Sequence, residues 1–300
     1  MSKDAPIKVL ATCILIATQA FALTFAMVTT TKAQVGPLQG AISDIEVLHD
    51  ARVGVAILDV ESGAEWLHRG DERFAMASTF KALLCGLVLL QVDRGQLSLD
   101  QPVSFSERDI VRYSPVVRLR VGSSITIGEL CEATLNVSDN TAANLLLQHL
   151  GGPAGFSEML RRIGDPITRL DRWEPALNEA TPNDPRDTTT PFAMTHSLKT
   201  LLYGDVLTSS RQEQLAAWMR GNMVSDALLR SVLPDGWTIG DRSGAGGNGT
   251  RGIVSYLITD RQRHYIVVIY LTEVSFNLDA QNEVIAEIGR LIFSHLGQAL

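Results

Sequence analysis

The sequence predicts an α/β (α+β) fold, an antiparallel sheet flanked by N- and C-terminal helices with an all-helical part inserted between its strands. Three observations carry this reading. Strand-like apolar runs occur near both ends of the chain, helical signals dominate from 78 to 222, and amphipathic helices lie outside the strands at each end. The implied division is a discontinuous α/β part, 34–77 with 223–300, and a helical part, 78–222.

Each element has its own signal. Ile42, Ile45 and Leu48 share one face of a short helix. Arg52 to Val60 reads as a buried strand, and Glu61-Ser-Gly63 turns it into a second at 64–68. Thr126-x-x-Glu129 is a capping box before a helix that holds Cys131, and Ser210-x-x-Glu213 is read as another. A helix from Asn140 to Leu150 stops at Gly151-Gly152, and Pro191 suits a first helical turn. Strands return at Trp237–Ser243, Arg251–Asp260 and His264–Thr272. A last helix, from Asp279 to Leu300, aligns Ile285, Ile288, Leu291 and Ile292.

The first 33 residues differ from the rest. Lys3 and Lys8 precede an apolar stretch from Val9 to Val28, and the segment ends Thr-Lys-Ala33, the order of a cleavable secretory signal. Losing its three lysines and one aspartate takes the net charge from −7 to −9. That charge excludes a general nucleic-acid binder, because phosphate contacts need a basic surface. Nothing from 34 to 300 is apolar enough to span a bilayer. Cys85 and Cys131 survive cleavage, and in an exported protein two cysteines favour a disulfide over two buried thiols. The six histidines have no ligand-like spacing, so a metal centre is not expected.

Four segments carry chemistry. In Ser78-Thr-Phe-Lys81, serine and lysine are three apart and share a helix face, where an amine can take the serine's proton. A serine at a helix start also has free N–H groups suited to an oxyanion. Ser138-Asp139-Asn140 sits between two helices; its bland reading is helix capping. Residues 168–188 form a long Pro- and Asx-rich loop, where Glu174 and Asn178, four apart, could hold a water between them. Asp241 to Arg251 contains Gly244-x-Gly246-x-x-Gly249, but a strand follows it rather than a helix, which rules out a dinucleotide site. A Gly-rich hairpin with Arg242 and Arg251 suits a small anionic ligand.

Taken together and in this order, these segments resemble class A serine β-lactamases, with their S-x-x-K, S-D-N and K-T-G boxes, over residues 40 to the end. The Trp173-Glu174-Pro-x-Leu-Asn178 loop separates that class from penicillin-binding enzymes, and Cys85 and Cys131 match a disulfide found in many members. The third box departs: Arg242-Ser243-Gly244 stands for Lys-Thr-Gly, as in the carbenicillin-hydrolysing subgroup. Arginine keeps the charge but has no proton to release.

The resemblance implies a Ser78 acyl-enzyme, with the Ser78 and Ala245 N–H groups as oxyanion hole. Lys81, or Glu174 through water, would take the serine proton. Ser138 would protonate the leaving nitrogen, and Glu174 with Asn178 would activate the deacylating water. Arg242, Ser243, Gly244 and Arg251 would hold the substrate carboxylate, Asn140 the acyl amide, and Tyr113 the cleft wall. Arg172 and Asp187 would pair across the neck of the loop. The resemblance also implies no cofactor, a periplasmic monomer, and no partner beyond the β-lactam: neither nucleic acid nor, once the signal is removed, membrane. Two alternatives remain: a cell-wall D-Ala-D-Ala transpeptidase or carboxypeptidase, which would stall as acyl-enzyme, and a non-catalytic β-lactam sensor.

Overall fold

Strands buried on both faces and apolar helix stripes set the layers of this protein. A computed structural model describes residues 36–298; the expected signal segment, 1–33, lies outside the described residues. In chain order the elements are α1 (Pro37–His49), β1 (Arg52–Asp59), β2 (Glu65–His68), β3 (Phe74–Ala75), α2 (Phe80–Asp93), β4 (Pro102–Ser104), β5 (Ser124–Thr126), α3 (Ile127–Asn136), α4 (Asn140–His149), α5 (Gly152–Arg162), β6 (Thr188–Thr189), α6 (Pro191–Tyr203), α7 (Ser209–Arg220), β7 (Thr238–Ala245), β8 (Arg251–Ile258), β9 (His264–Thr272) and α8 (Leu278–Gln298).

Five strands form one antiparallel sheet in the order β2-β1-β9-β8-β7. The sheet is thus built from both ends of the chain, as predicted. Side chains alternate across it. In β9, Val267, Ile269 and Leu271 join Ile42 and Ile45 of α1 and Ile285, Ile288 and Ile292 of α8 in one core. Ile266, Val268 and Tyr270 point the other way, into a larger core with the helices between β3 and β7. The α2 helix is the centre of that second core. Every residue from Phe80 to Leu90 is buried, so Lys81, the one charged residue of that stretch, is carried into the interior by its neighbours' packing.

The Thr126/Glu129 capping box forms in both directions: Thr126 Oγ1 accepts from Glu129 N at 3.2 Å, and Glu129 Oε2 from Thr126 N at 2.8 Å. The box expected at Ser210/Glu213 does not. Thr208 is the N-cap of α7, held by Asp93, and Glu213 pairs with Arg220 instead. Cys85 and Cys131, expected to form a disulfide, stand as free thiols in this structure. Both are buried side by side, but the Cys85 thiol is directed at the Cys131 carbonyl oxygen, 3.7 Å away, rather than joined to its sulfur. Burial, then the adjacent Cys85 thiol, pushes the Cys131 thiol well up. Among the described residues no helix is long and apolar enough to cross a membrane.

Candidate active site

Ser78 sits in a single 3-10 turn, Ala77–Thr79, that leads straight into α2. Ala77 just before it has φ +43°, and two further residues at the site, Tyr113 (φ +64°) and Ser138 (φ +62°), share that strained region. Such backbone persists only where surrounding contacts over-determine it. The edge strand β7 runs past this turn. A Cβ on Gly244 would come within 2.8 Å of Ser78 N and 2.9 Å of Met76 O, so only glycine lets the strand approach the nucleophile.

Lys81 reaches from α2 to a ring of acceptors. Its Nζ donates to Asn140 Oδ1 at 2.6 Å, Ser138 O at 2.9 Å and Ser138 Oγ at 3.1 Å, and lies 3.0 Å from Glu174 Oε1. Burial pulls its ammonium below the usual lysine range, and nearby Arg242 pushes the same way, against Glu174 and Asp139. A lysine so placed gives up a proton more readily than one on the surface.

Asp139 keeps the bland role foreseen for it. Its Oδ1 caps α4 through Ala142 N at 2.9 Å, while Oδ2 takes the N–H groups of Val116 and Val117, both at 2.9 Å. This clamp holds the segment before β5 against α4 and leaves Ser138 and Asn140 facing Lys81. Asn140 donates Nδ2 to Arg112 O at 3.0 Å, and its own N–H goes to Tyr113 O at 2.9 Å. Half-exposed Tyr113 lines the cleft.

Glu174 is buried, and Ala176–Asn178 after it form a 3-10 turn. Asn178 Nδ2 donates to Glu174 Oε2 at 2.5 Å, and Ser78 Oγ lies 3.5 Å from Glu174 Oε1. Nucleophile, buried amine and carboxylate are therefore contiguous. The neck of the loop is closed as expected: Arg172 Nε donates to Asp187 Oδ2 at 2.6 Å, while Asp187 Oδ1 takes the N–H groups of Asp171 and Arg172. Arg172 also pairs with Glu179.

A cleft of about 290 Å³ opens over these groups, lined by Ser78, Ser138, Asn178, Arg242, Ala245 and Arg251 among others. Arg242 and Arg251 are both buried, and burial pulls each guanidinium down to about 10. Arg251 is anchored by Asn282 Oδ1 at 2.8 Å and Gly244 O at 3.0 Å. Together the two buried guanidiniums give the cleft a cationic floor beside Ser78.

Sequence reasoning missed the supports behind this floor. Asn144 holds the Glu174 backbone from both sides, donating to its carbonyl at 2.9 Å and accepting from its N–H at 3.0 Å. Its position four residues after Asn140, on the same helix face, is the one signal that could have revealed it. Asn222, Arg230 and Asn282 come from segments with no motif, as do Val224 and Leu278 of the cleft wall.

This fold and site define a serine acyl-transfer hydrolase, and the comparisons place it. The sequence pattern of the Beta-lactamase enzyme family matches residues 37–296. Beta-lactamase PSE-4 of Pseudomonas aeruginosa is 44% identical over 252 residues, 84% of this chain and 88% of the relative. Beta-lactamase CARB-3 of the same organism is 45% identical over the same shares. The crystal structure of the chromosome-encoded β-lactamase of Vibrio parahaemolyticus superimposes with a TM-score of 0.84 at 46% identity, covering 86% of this chain and 98% of that one. The chain belongs to the β-lactamase family and is a class A serine β-lactamase. Its Arg242-Ser243-Gly244 box and these relatives put it in the carbenicillin-hydrolysing subgroup.

Proposed function

We propose that Ser78, Lys81, Ser138, Glu174 and Asn178 divide the hydrolysis of penicillins, the activity through which this protein confers antibiotic resistance, into two proton-relayed halves. Ser78 Oγ attacks the lactam carbonyl while its proton passes to Lys81 or, through water, to Glu174. The negative oxygen that forms rests on the N–H groups of Ser78 and Ala245. Ser138, already hydrogen-bonded to Lys81, gives a proton to the departing ring nitrogen. In the second half a water held by Glu174 and Asn178 attacks the ester. The observation that carries this reading is the Glu174 carboxylate itself, in contact with Lys81 and Asn178 and 3.5 Å from the serine.

The same proposal assigns Arg242, Ser243 and Arg251, with Gly244 beside them, to the substrate carboxylate, Asn140 to the acyl amide and Tyr113 to the wall. It includes oxidation of Cys85 and Cys131 to a disulfide on export, periplasmic location after loss of the segment 1–33, and a monomeric enzyme. It also includes the division into 34–77 with 223–300 and 78–222, supported by the separate cores on the two faces of the sheet. A stalled transpeptidase or a sensor is not favoured, because either would lack a use for the Glu174–Asn178 pair.

The test mixes benzylpenicillin with wild type and with Glu174→Gln. Wild type turns over, and the variant accumulates a covalent adduct on Ser78 by mass spectrometry, with deacylation slowed about 10²–10⁴-fold. Full turnover by the variant, or a lasting adduct on wild type, overturns the proposal.

A further inference from the structure

The arginine in the third box poses a structural question of its own. Arg242 replaces the lysine of the commoner Lys-Thr-Gly box, and a guanidinium brings five N–H groups into a site where Arg242 is 2% exposed. Its Nε donates to Ser243 O at 3.0 Å, and its Nη1 donates to Leu135 O at 3.1 Å and to Asn222 Oδ1 at 3.4 Å. Nη2 makes no hydrogen bond to the protein among the described residues, and Arg242 lines the cleft.

Asn222 is what holds the far side of this fork, and its own orientation is forced. Asp241 Oδ1 accepts from Asn222 Nδ2 at 2.5 Å, and Ser225 Oγ does so at 2.7 Å. On the other side Val224 N donates to Asn222 Oδ1 at 3.1 Å. A buried carboxylate and a backbone N–H thus leave the amide only one way round, with its oxygen toward Arg242. Asp241 is fully buried and is itself fixed by Arg230 Nε at 2.8 Å and Ser225 Oγ at 2.5 Å. The chain of contacts runs from Arg230 through Asp241 and Asn222 to Arg242 in the cleft floor.

We infer that Asn222 is the positioning residue that fits an arginine, rather than a lysine, to carboxylate binding in this enzyme. It acts through Arg242 and touches no substrate. A lysine ammonium ends one bond short of the Nη atoms and has no planar fork to align. In a lysine background the Asn222 oxygen therefore has nothing to orient.

This rests on the proposed role of Arg242 in binding the substrate carboxylate, and a double-mutant cycle separates the two. Steady-state kinetics with benzylpenicillin are measured for wild type, Asn222→Ala, Arg242→Lys and the double variant, with Asn222→Ser as a second probe if the alanine variant folds poorly. Asn222→Ala in the arginine background raises KM about tenfold and changes kcat less than about threefold. In the lysine background the same substitution changes KM less than about twofold. Equal effects in both backgrounds mean that Asn222 merely props up Asp241, and they overturn the inference, as does an unchanged KM in the arginine background. If Arg242→Ala leaves KM unaltered, the carboxylate-binding role itself fails.

Discussion

The two oxygens of Glu174 have different neighbours, Lys81 and Ser78 at Oε1 and Asn178 at Oε2. One carboxylate can therefore serve both halves of the reaction without moving. Around it, single atoms decide activity. Gly244→Ala places a methyl group against the Ser78 and Met76 backbone, so kcat/KM for benzylpenicillin should fall about 100-fold, with a lowered melting temperature because the strand or the turn must shift to admit it. Tyr113→Ala removes an exposed aromatic wall whose backbone still holds Asn140; KM should rise severalfold with kcat nearly unchanged, and an unaltered KM would mean that the ring merely sits on the surface.

Elements depend on how their ends are tied. The loop 168–188 has little core of its own and is held by the buried Asp187 carboxylate. Asp187→Asn should weaken that hold and misplace Glu174, slowing deacylation as much as about 100-fold, readable as a longer-lived acyl-enzyme in stopped-flow traces. Glu46 likewise ties α1 to the sheet. It accepts from Val53 N at 2.8 Å and Arg69 Nε at 2.7 Å, with His68 Nε2 3.1 Å away. Burial pushes its carboxyl up, but Arg69, the Val53 N–H and His68 outweigh this and hold it below the usual range. A group lowered on folding stabilises above its unfolded value, here 4.5, and that contribution is lost as pH falls through the folded value. Glu46→Gln should cost about 1–3 kcal/mol in urea unfolding at pH 7 and flatten the loss of stability below pH 4.5. An acid limb as steep as wild type would refute this.

For the molecule as a whole, one sheet serves two cores, and the cleft lies at its β7 edge where the helices between β3 and β7 meet it. Cys85 of α2 and Cys131 of α3 lie side by side, four residues along α2 from Lys81. Protein exported through an oxidising compartment should titrate no thiol in denaturant until reductant is added, and then two. Closing the bridge should add up to about 4 kcal/mol by the chain-entropy argument. Two thiols before reduction would show that the unbridged pair of this structure is the working form.

The sequence by itself determined the layers and the positions of the candidate site residues. Alternating apolar residues specify strands, apolar stripes specify helices, and Ser78, Lys81, Ser138, Asn140, Glu174 and Asn178 were legible because each sits in a short motif whose spacing survives folding. Only the tertiary structure decided the rest. Whether Glu213 caps a helix or pairs with Arg220 depends on where Thr208 meets Asp93. That Asn144 grips Glu174, or that Asn222 aims Arg242, depends on segments many residues apart being packed within hydrogen-bond reach. Such supports leave no local pattern, because a buried polar group is satisfied by whatever the fold brings to it.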